Sequence, residues 1–127
     1  MKSGLVSISF RKKGIKELIK ASKESGLEYI EWGGDIHVTS REDARLVKSV
    51  CDNENIKISS YGSYFNSALY DESKWIKVCE IAKEMGAEYV RIWLGKKNSQ
   101  ITSEEEYKLL LQNTKRMCDI AFQYGLL

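Results

Sequence analysis

The sequence predicts an α/β fold in which parallel strands alternate with helices. One observation is that four segments with helical periodicity each follow a β-rich run and each end at a glycine or an asparagine. A second is an internal repeat, since Glu24–Trp32 resembles Glu84–Trp93 at an offset of 60 residues. A weaker repeat links Cys79–Gly86 with Cys118–Gly125. We interpret both as one βα unit of about 30 residues that is used four times.

The predicted strands are the four β-rich runs, which are Leu5–Phe10, Leu27–Trp32, Ile56–Tyr61 and Ala87–Trp93. A helix between consecutive strands brings the chain back to the same end of the sheet. The strands are therefore expected to pair in parallel, through right-handed crossovers.

The predicted helices show an apolar face at a helical spacing, and two of them also show a capping signal. Ser40 with Asp43 begins the second helix, and Thr102 or Ser103 with Glu105 and Glu106 begins the fourth. The third runs from about Glu72 to Gly86. The predicted core positions are Ile15, Leu18, Ile19, Ser22, Ala44, Val47, Val50, Cys51, Trp75, Val78, Cys79, Ala82, Tyr107, Leu110, Leu111, Met117, Cys118 and Ala121.

Composition limits the class of protein. The 127 residues fit one domain spanning 1–127, and 43% apolar content excludes a disordered chain. A net charge of +2 argues against a strongly basic nucleic-acid binder, and no apolar run is long enough to cross a membrane. Three cysteines without a CxxC motif indicate reduced thiols in a cytoplasmic protein.

Two architectures fit four βα units. One is a flavodoxin-like open sheet, which would have a fifth strand and, in its phosphate-receiving form, acidic residues where the first and third strands end. Those strands end in Ser9–Lys13 and Tyr61–Tyr64, without a carboxylate. The other is half of an eight-fold βα barrel. Leu126 and Leu127 follow Gly125 where a fifth strand would begin, so the sequence is expected to stop two residues into that strand.

Functional residue types concentrate after the strands. The second strand leads into Glu31–Val38, the third into Ser60–Phe65 and the fourth into Arg91–Lys97, and these segments hold aromatic, small and charged side chains. The carboxyl ends of parallel strands meet at one edge of a sheet. The pattern therefore predicts a site on one side of the fold.

These same segments resemble a known family. The blocks Glu31–Val38, Ser60–Tyr64 and Arg91–Gly95 are similar to the sugar phosphate isomerase/epimerase family of xylose isomerase-like TIM barrels. The resemblance covers the whole chain but only the first four of the family's eight βα units. Thr39 stands where many relatives carry a proline.

The resemblance implies a metal-dependent enzyme that moves protons or a hydride next to a sugar carbonyl. It implies Mn, Mg or Zn held by carboxylates and a histidine from strands five to eight, so this chain is not expected to bind the metal alone. The chain would instead supply a substrate-binding wall for a small sugar or sugar phosphate.

Two residues are candidates for catalysis. His37 is the single histidine and lies after a strand close to Asp35, which suits proton transfer or ligand orientation, but it could also brace the loop through one hydrogen bond. Burial could suit Glu31 to acid–base work, or Glu31 could form an ion pair with Arg91 across neighbouring strands.

The candidate substrate-binding residues are aromatic, polar or cationic. Arg91 could bind a phosphate or a carboxylate through two hydrogen bonds, or pair with a core carboxylate. The aromatic members could stack on a sugar or pack in the barrel. The full predicted set is Trp32, Asp35, Tyr61, Ser63, Tyr64, Arg91 and Trp93.

Three functions remain open at this stage. The first is the N-terminal half of a sugar isomerase or epimerase. The second is a non-catalytic half-barrel that forms a homo-oligomer through its exposed sheet edges, with two copies closing one barrel. The third is a protein like the abasic-site (AP) endonucleases, which near-neutral charge and a single histidine argue against. No nucleic acid or membrane partner is expected.

Overall fold

The computed structural model describes residues 2–127, which form one parallel sheet with the strand order β1-β2-β3-β4. The strands are β1 (Gly4–Val6), β2 (Tyr29–Gly33), β3 (Lys57–Asn66) and β4 (Val90–Trp93), and the helices are α1 (Ile15–Glu24), α2 (Arg41–Glu54), α3 (Glu72–Met85) and α4 (Glu104–Gln123). Each strand pairs with the next along the chain. This order confirms the half-barrel prediction over the flavodoxin-like alternative, whose strand order reverses within the sheet.

The strand boundaries were predicted less accurately than the strand order. The predicted first strand, Leu5–Phe10, is a strand only as far as Val6, and Ser7–Phe10 forms a short 3₁₀ helix. The buried Ser7 hydroxyl accepts a hydrogen bond of 2.9 Å from the amide of Gly33, a contact between distant segments that local sequence patterns do not reveal. In contrast, β3 continues beyond the predicted Tyr61 to Asn66.

The helix ends follow the predicted chemistry. Ser40 and Asp43 form a capping box at the start of α2, and Ser103 and Glu106 form one at the start of α4. The predicted glycines and Asn55 adopt the left-handed conformation after the helices, with φ of +55° at Asn55 and +76° at Gly86. Gly86 ends α3 at the predicted position.

The core lies between the sheet and the helices. Ile30 and Trp32 on β2 and Tyr61 on β3 are buried, together with Cys51 on α2 and the predicted apolar face of α3. Some predicted core positions on α4 are exposed, which corrects that part of the prediction, namely Tyr107, Leu111 and Cys118. α4 is the last helix of the layer and packs against α3 and the short helix Ser67–Leu69, so less of its surface is covered.

Leu127 forms backbone hydrogen bonds beside the start of β4. The amide of Leu127 donates to the carbonyl of Glu88 at 2.8 Å, and the amide of Val90 donates to the carbonyl of Leu127 at 3.0 Å. In parallel pairing, one residue forms hydrogen bonds to the two residues that flank its partner on the neighbouring strand, as Leu127 does with Glu88 and Val90 on either side of Tyr89. Leu127 therefore pairs in parallel with Glu88 and Val90 at the start of β4, where the sequence predicts that a fifth strand would begin. Within residues 2–127, none of the helices has both the length and the apolar composition of a membrane span.

Candidate functional site at the carboxyl edge of the sheet

The face of the sheet that the helices do not cover carries the polar candidates. Side chains alternate between faces along a strand, and Ile30 and Trp32 point into the helical layer. Glu31 therefore lies on the opposite face, which we call the inner face. The register places Ser60 beside Glu31, and Arg91 beside Gly62, on this same face.

Glu31 and Arg91 form an ion pair across this inner face. The Nη2 and Nε atoms of Arg91 lie 2.9 and 3.0 Å from Oε1 of Glu31, and the hydroxyl of Ser60 donates to Oε2 at 2.8 Å. The hydrogen bond with Glu31 raises the pKa of Arg91 above its ordinary value. Of the two interpretations of Glu31 that the sequence left open, the structure shows the ion pair.

Gly62 lets this ion pair lie close to the sheet. A Cβ atom at position 62 would lie 2.9 Å from Nη2 of Arg91 and 3.1 Å from Oε1 of Glu31. Any side chain larger than hydrogen would displace the guanidinium from its place. The glycine of the sequence block Ser60–Tyr64 thus has a steric role at the site.

Aromatic rings flank Arg91 at the carboxyl edge. Its guanidinium carbon lies 5.6 Å from the ring centroid of Tyr64 and 5.9 Å from that of Trp93, distances that suit cation–π contacts. Tyr64 has a φ of +58°, which is uncommon for a residue with a bulky side chain. The hydroxyl of Ser63 stabilises the loop by donating to the carbonyl of Arg91 at 2.9 Å and accepting from the amide of Phe65 at 3.2 Å.

A second arginine lies near this cluster. Arg11, which directly follows the 3₁₀ helix Ser7–Phe10, forms an ion pair with Asp35. The hydrogen bond with Asp35 raises the pKa of Arg11. Asp35 lies beside Gly33, where a Cβ atom would be 3.2 Å from its Oδ1, and Gly33 pairs with Gly62, which lies against Arg91. Arg11 is not among the binding residues that the sequence predicts. Its position directly after the predicted first strand, in the basic run Arg11-Lys12-Lys13, is the feature of the sequence that could have indicated it.

His37 is buried and braces two loops. Its Nε2 atom lies 3.0 Å from the carbonyl oxygen of Lys13, and because a carbonyl only accepts, Nε2 carries the proton. The ring also contacts Trp32 edge to face, with the centroids 6.0 Å apart. Its Nδ1 atom is buried and has no hydrogen-bond partner among residues 2–127. The loop-bracing arrangement that the sequence left open is therefore present.

Two of the candidates lie on the other side of the sheet. Trp32 is completely buried in the helical layer, and Tyr61 is buried there with its hydroxyl donating to the carbonyl of Val38 at 3.0 Å. The structure does not bring Trp32 or Tyr61 to the inner face, which corrects their placement with the other substrate-binding candidates. The reason is that side chains alternate between faces along a strand. Trp32 and Tyr61 are register partners, and both lie on the face opposite to Glu31.

The residues present do not form a metal site. Among residues 2–127, no three His, Cys, Asp or Glu side chains are grouped so that they could hold an ion. The two carboxylates at the carboxyl edge, Glu31 and Asp35, each pair with an arginine instead. The donor set therefore does not fit the divalent metal that the family resemblance implies.

Comparison with known proteins agrees with this geometry. A model of the xylose isomerase-like TIM barrel family matches residues 19–126. A search of curated proteins finds no significant match. Among solved structures, a probable 3-DHS dehydratase from Bacillus anthracis, involved in petrobactin synthesis, superposes with a TM-score of 0.85 at 20% identity, over 99% of this chain and 50% of that one.

Two further solved structures show the same relationship. A sugar phosphate isomerase/epimerase from Parabacteroides distasonis has a TM-score of 0.71 at 17% identity, over 99% of this chain and 49% of that one. The IOLI protein, with a bound zinc atom, has a TM-score of 0.78 at 19% identity, over the same shares of the two chains. This chain thus spans about half the length of the structures it matches. With four sequential βα units and this family match, the chain belongs to the xylose isomerase-like TIM barrel family.

Proposed function

We propose that this chain supplies the substrate-binding wall of a metal-dependent sugar or sugar phosphate isomerase or epimerase. The observation that carries the proposal is the placement of Arg91 on the inner face, paired with Glu31 and flanked by Tyr64 and Trp93. A planar cation between aromatic rings, at the carboxyl edge of a parallel sheet, suits a polyhydroxylated ligand that carries an anionic or carbonyl oxygen.

The chemistry of each group supports this role. The hydrogen bonds of Arg91 to Glu31 use Nε and Nη2 and leave donors on Nη1 for a ligand oxygen. Trp93 is 49% exposed and offers a ring on which the C–H face of a sugar can stack. We assign Glu31 a positioning role, because its carboxylate holds Arg91 through one oxygen and Ser60 through the other.

The family's metal is expected to come with further βα units. A divalent ion would polarise the sugar carbonyl next to the carbon that exchanges a proton or hydride. The described residues do not offer a ligand set for it, so this chain's own contribution is to bind and orient the substrate. Family membership and the isomerase/epimerase neighbour from Parabacteroides distasonis support the reaction class, and the sugar itself stays undefined.

The test is binding of ribose 5-phosphate to the 127-residue chain by isothermal titration calorimetry. Arg91→Gln is expected to weaken binding about tenfold or more, because a hydrogen bond to a charged group contributes about 1.5–3 kcal/mol. Arg116→Gln is the matched control, since Arg116 pairs with Glu72 in the helical layer. Equal affinities for Arg91→Gln and Arg116→Gln would contradict the proposal.

His37 needs a separate variant because it is buried. His37→Ala removes the contact with Lys13 and is expected to weaken binding only through the loop it braces. Its effect should therefore be smaller than that of Arg91→Gln. A larger effect, with the fold intact by circular dichroism, would instead favour the direct catalytic or orienting role that the sequence suggested for His37.

Self-association is the second candidate function, because the inner face and the sheet edges are open. Val6 on β1, Tyr89 beside β4 and Trp93 are all exposed, and unpaired parallel edges favour pairing with another chain. Two copies related by a two-fold axis would close one eight-stranded barrel. Light scattering measures this directly, and a monodisperse monomer at high micromolar concentration would exclude it.

A further inference from the structure

We infer that Arg11 is the second arm of an anion subsite, in which Arg11 and Arg91 bind one phosphate or carboxylate group of the ligand beside Tyr64. This inference rests on the proposed function and deepens it, because it defines the ligand as an anionic sugar derivative. Arg11 follows the 3₁₀ helix after β1 and Arg91 lies on β4, so the two cations come from separate parts of the carboxyl edge.

The geometry around Tyr64 supports this assignment. Arg91 lies 5.6 Å from the ring centroid of Tyr64. Asp35, the partner of Arg11, lies beside Gly33, and Gly33 pairs with Gly62, which lies against Arg91, so the two ion pairs occupy neighbouring strands at the same edge. Tyr64 holds a left-handed backbone conformation with φ of +58°. Such a conformation is strained for a non-glycine residue, and strained residues cluster at functional sites.

Both arginines keep donors for a ligand. In the described chain, Arg91 donates to Glu31 from Nε and Nη2, and Arg11 donates to Asp35 from Nη2. A guanidinium has five N–H donors, so each retains enough for two hydrogen bonds with an oxyanion. The Arg11 side chain is half exposed, which allows it to turn toward a ligand without unfolding the loop.

Charge at this edge favours an anion over a neutral sugar. The segments that follow the four strands, residues 7–14, 31–39, 60–70 and 91–102, hold six lysines and arginines against two acidic residues. Their net charge is therefore +4, whereas the whole chain carries +2 and the remainder must carry −2. The excess of positive charge lies in the segments that build the site.

The experiment compares three probes, which are ribose, ribose 5-phosphate and ribonate, on the full chain. Wild type is expected to bind at least one of the two anionic probes about tenfold or more tightly than ribose. Arg11→Gln should remove most of that preference while leaving ribose affinity unchanged. Arg45→Gln is the matched control, because Arg45 is similarly exposed and pairs with Glu84 on the helices.

A second variant tests whether freeing Arg11 from its carboxylate partner strengthens binding of the anionic probes. Asp35→Asn removes the carboxylate that competes for Arg11 and is expected to tighten binding of the anionic probes severalfold. The probe that gains most, ribose 5-phosphate or ribonate, identifies the source of the oxyanion. Equal affinity for ribose and both anionic probes, or an unchanged preference in Arg11→Gln, would overturn the inference.

Inorganic phosphate separates failure of this inference from failure of the proposed function. If none of the three sugar probes binds, the proposed function fails. Phosphate is then titrated alone while the indole signal of Trp93 is followed by NMR. A shift in wild type that Arg11→Gln abolishes and Arg45→Gln retains supports the subsite, and no shift in wild type overturns it.

Discussion

Two tryptophans on strands of the same sheet have opposite environments. Trp32 on β2 is 0% exposed and packs in the helical layer, whereas Trp93 on β4 is 49% exposed at the carboxyl edge beside Arg91. Two tyrosines of β3 repeat the contrast, because Tyr61 is buried and Tyr64 contacts Arg91.

Residue type alone therefore does not identify a binding residue in this fold. In the sequence, all four aromatic residues stand at or just after the carboxyl ends of predicted strands, in similar surroundings. Strand alternation then sends one set into the core and leaves the other set with the charged pair. Stability is expected to depend on the helix-facing set and ligand binding on the inner set.

The largest expected effect is that of Trp32→Ala. Removing a fully buried indole leaves a cavity and should lower the free energy of unfolding by about 3–5 kcal/mol. Trp93→Ala is the matched control, with an expected loss below about 1 kcal/mol but weaker ribose 5-phosphate binding. Urea denaturation followed by circular dichroism measures both, and similar losses in the two variants would break the comparison.

Tyr61→Phe is expected to have the next largest effect. The change removes the buried hydrogen bond to Val38 and should cost about 1–2 kcal/mol at pH 8. Urea titrations at that pH, with Tyr64→Phe as the matched variant on the inner side, give the value. A larger loss for Tyr64→Phe than for Tyr61→Phe would contradict the assignment of Tyr61 to the core.

The pH dependence of Tyr61 gives a second measurement on the same residue. Burial raises its pKa to about 12, above the ordinary value near 10. Its contribution is therefore complete below pH 10 and is lost as the pH rises through 12. Burial also raises the pKa of the Cys51 and Cys79 thiols to about 11. Their contribution to the pH dependence of stability is the same in wild type and in Tyr61→Phe. Wild type should thus lose more stability than Tyr61→Phe between pH 10 and 12, and parallel curves would refute this.

Glu31→Gln tests the inner face. A partly exposed ion pair contributes little, so the expected loss of stability is about 1 kcal/mol. Ribose 5-phosphate binding should weaken about tenfold, because Arg91 loses the partner that holds it. Glu84→Gln is the control, since Glu84 bridges Arg41 and Arg45 in the helical layer and its loss should leave binding intact. Equal binding by both variants would remove Glu31 from the site.

Gly62→Ala is expected to change stability least, by less than about 1 kcal/mol. The new methyl group would meet the flexible end of Arg91, which can move aside at little cost. Moving it displaces the guanidinium, so binding of ribose 5-phosphate should weaken severalfold by calorimetry. Gly95→Ala is the control, because its Cβ would meet only ordinary contacts with Leu110. Unchanged binding in Gly62→Ala would show that the position of Arg91 is not critical.

Local signals predicted most of the fold. Capping residues such as Ser40 and Ser103, and the left-handed residues Asn55 and Gly86, act within a few positions of where they stand. The ends of the helices can therefore be predicted from neighbouring residues in the sequence. One exception is the end of the first predicted strand, where the Ser7 hydroxyl accepts a hydrogen bond from the backbone amide of Gly33, far away in sequence.

The site was predicted less completely. The segments after the strands were identified because parallel strands bring their carboxyl ends together, and the pairing of Glu31 with Arg91 was one of two alternatives. Arg11 was missed, and Trp32 and Tyr61 were grouped with the inner residues. Which face a strand residue occupies depends on register, and β2 and β3 shift register between Ile30 and Glu31.

Periodicity, caps and repeats are local properties of the chain, so the sequence was sufficient to predict four βα units in a parallel sheet of this family. The tertiary structure sets which aromatic residues meet the charged pair, and it places Arg11 against Asp35. Those contacts join side chains that are far apart in the chain, and strand register, loop path and the absence of a side chain at Gly62 together set their distances.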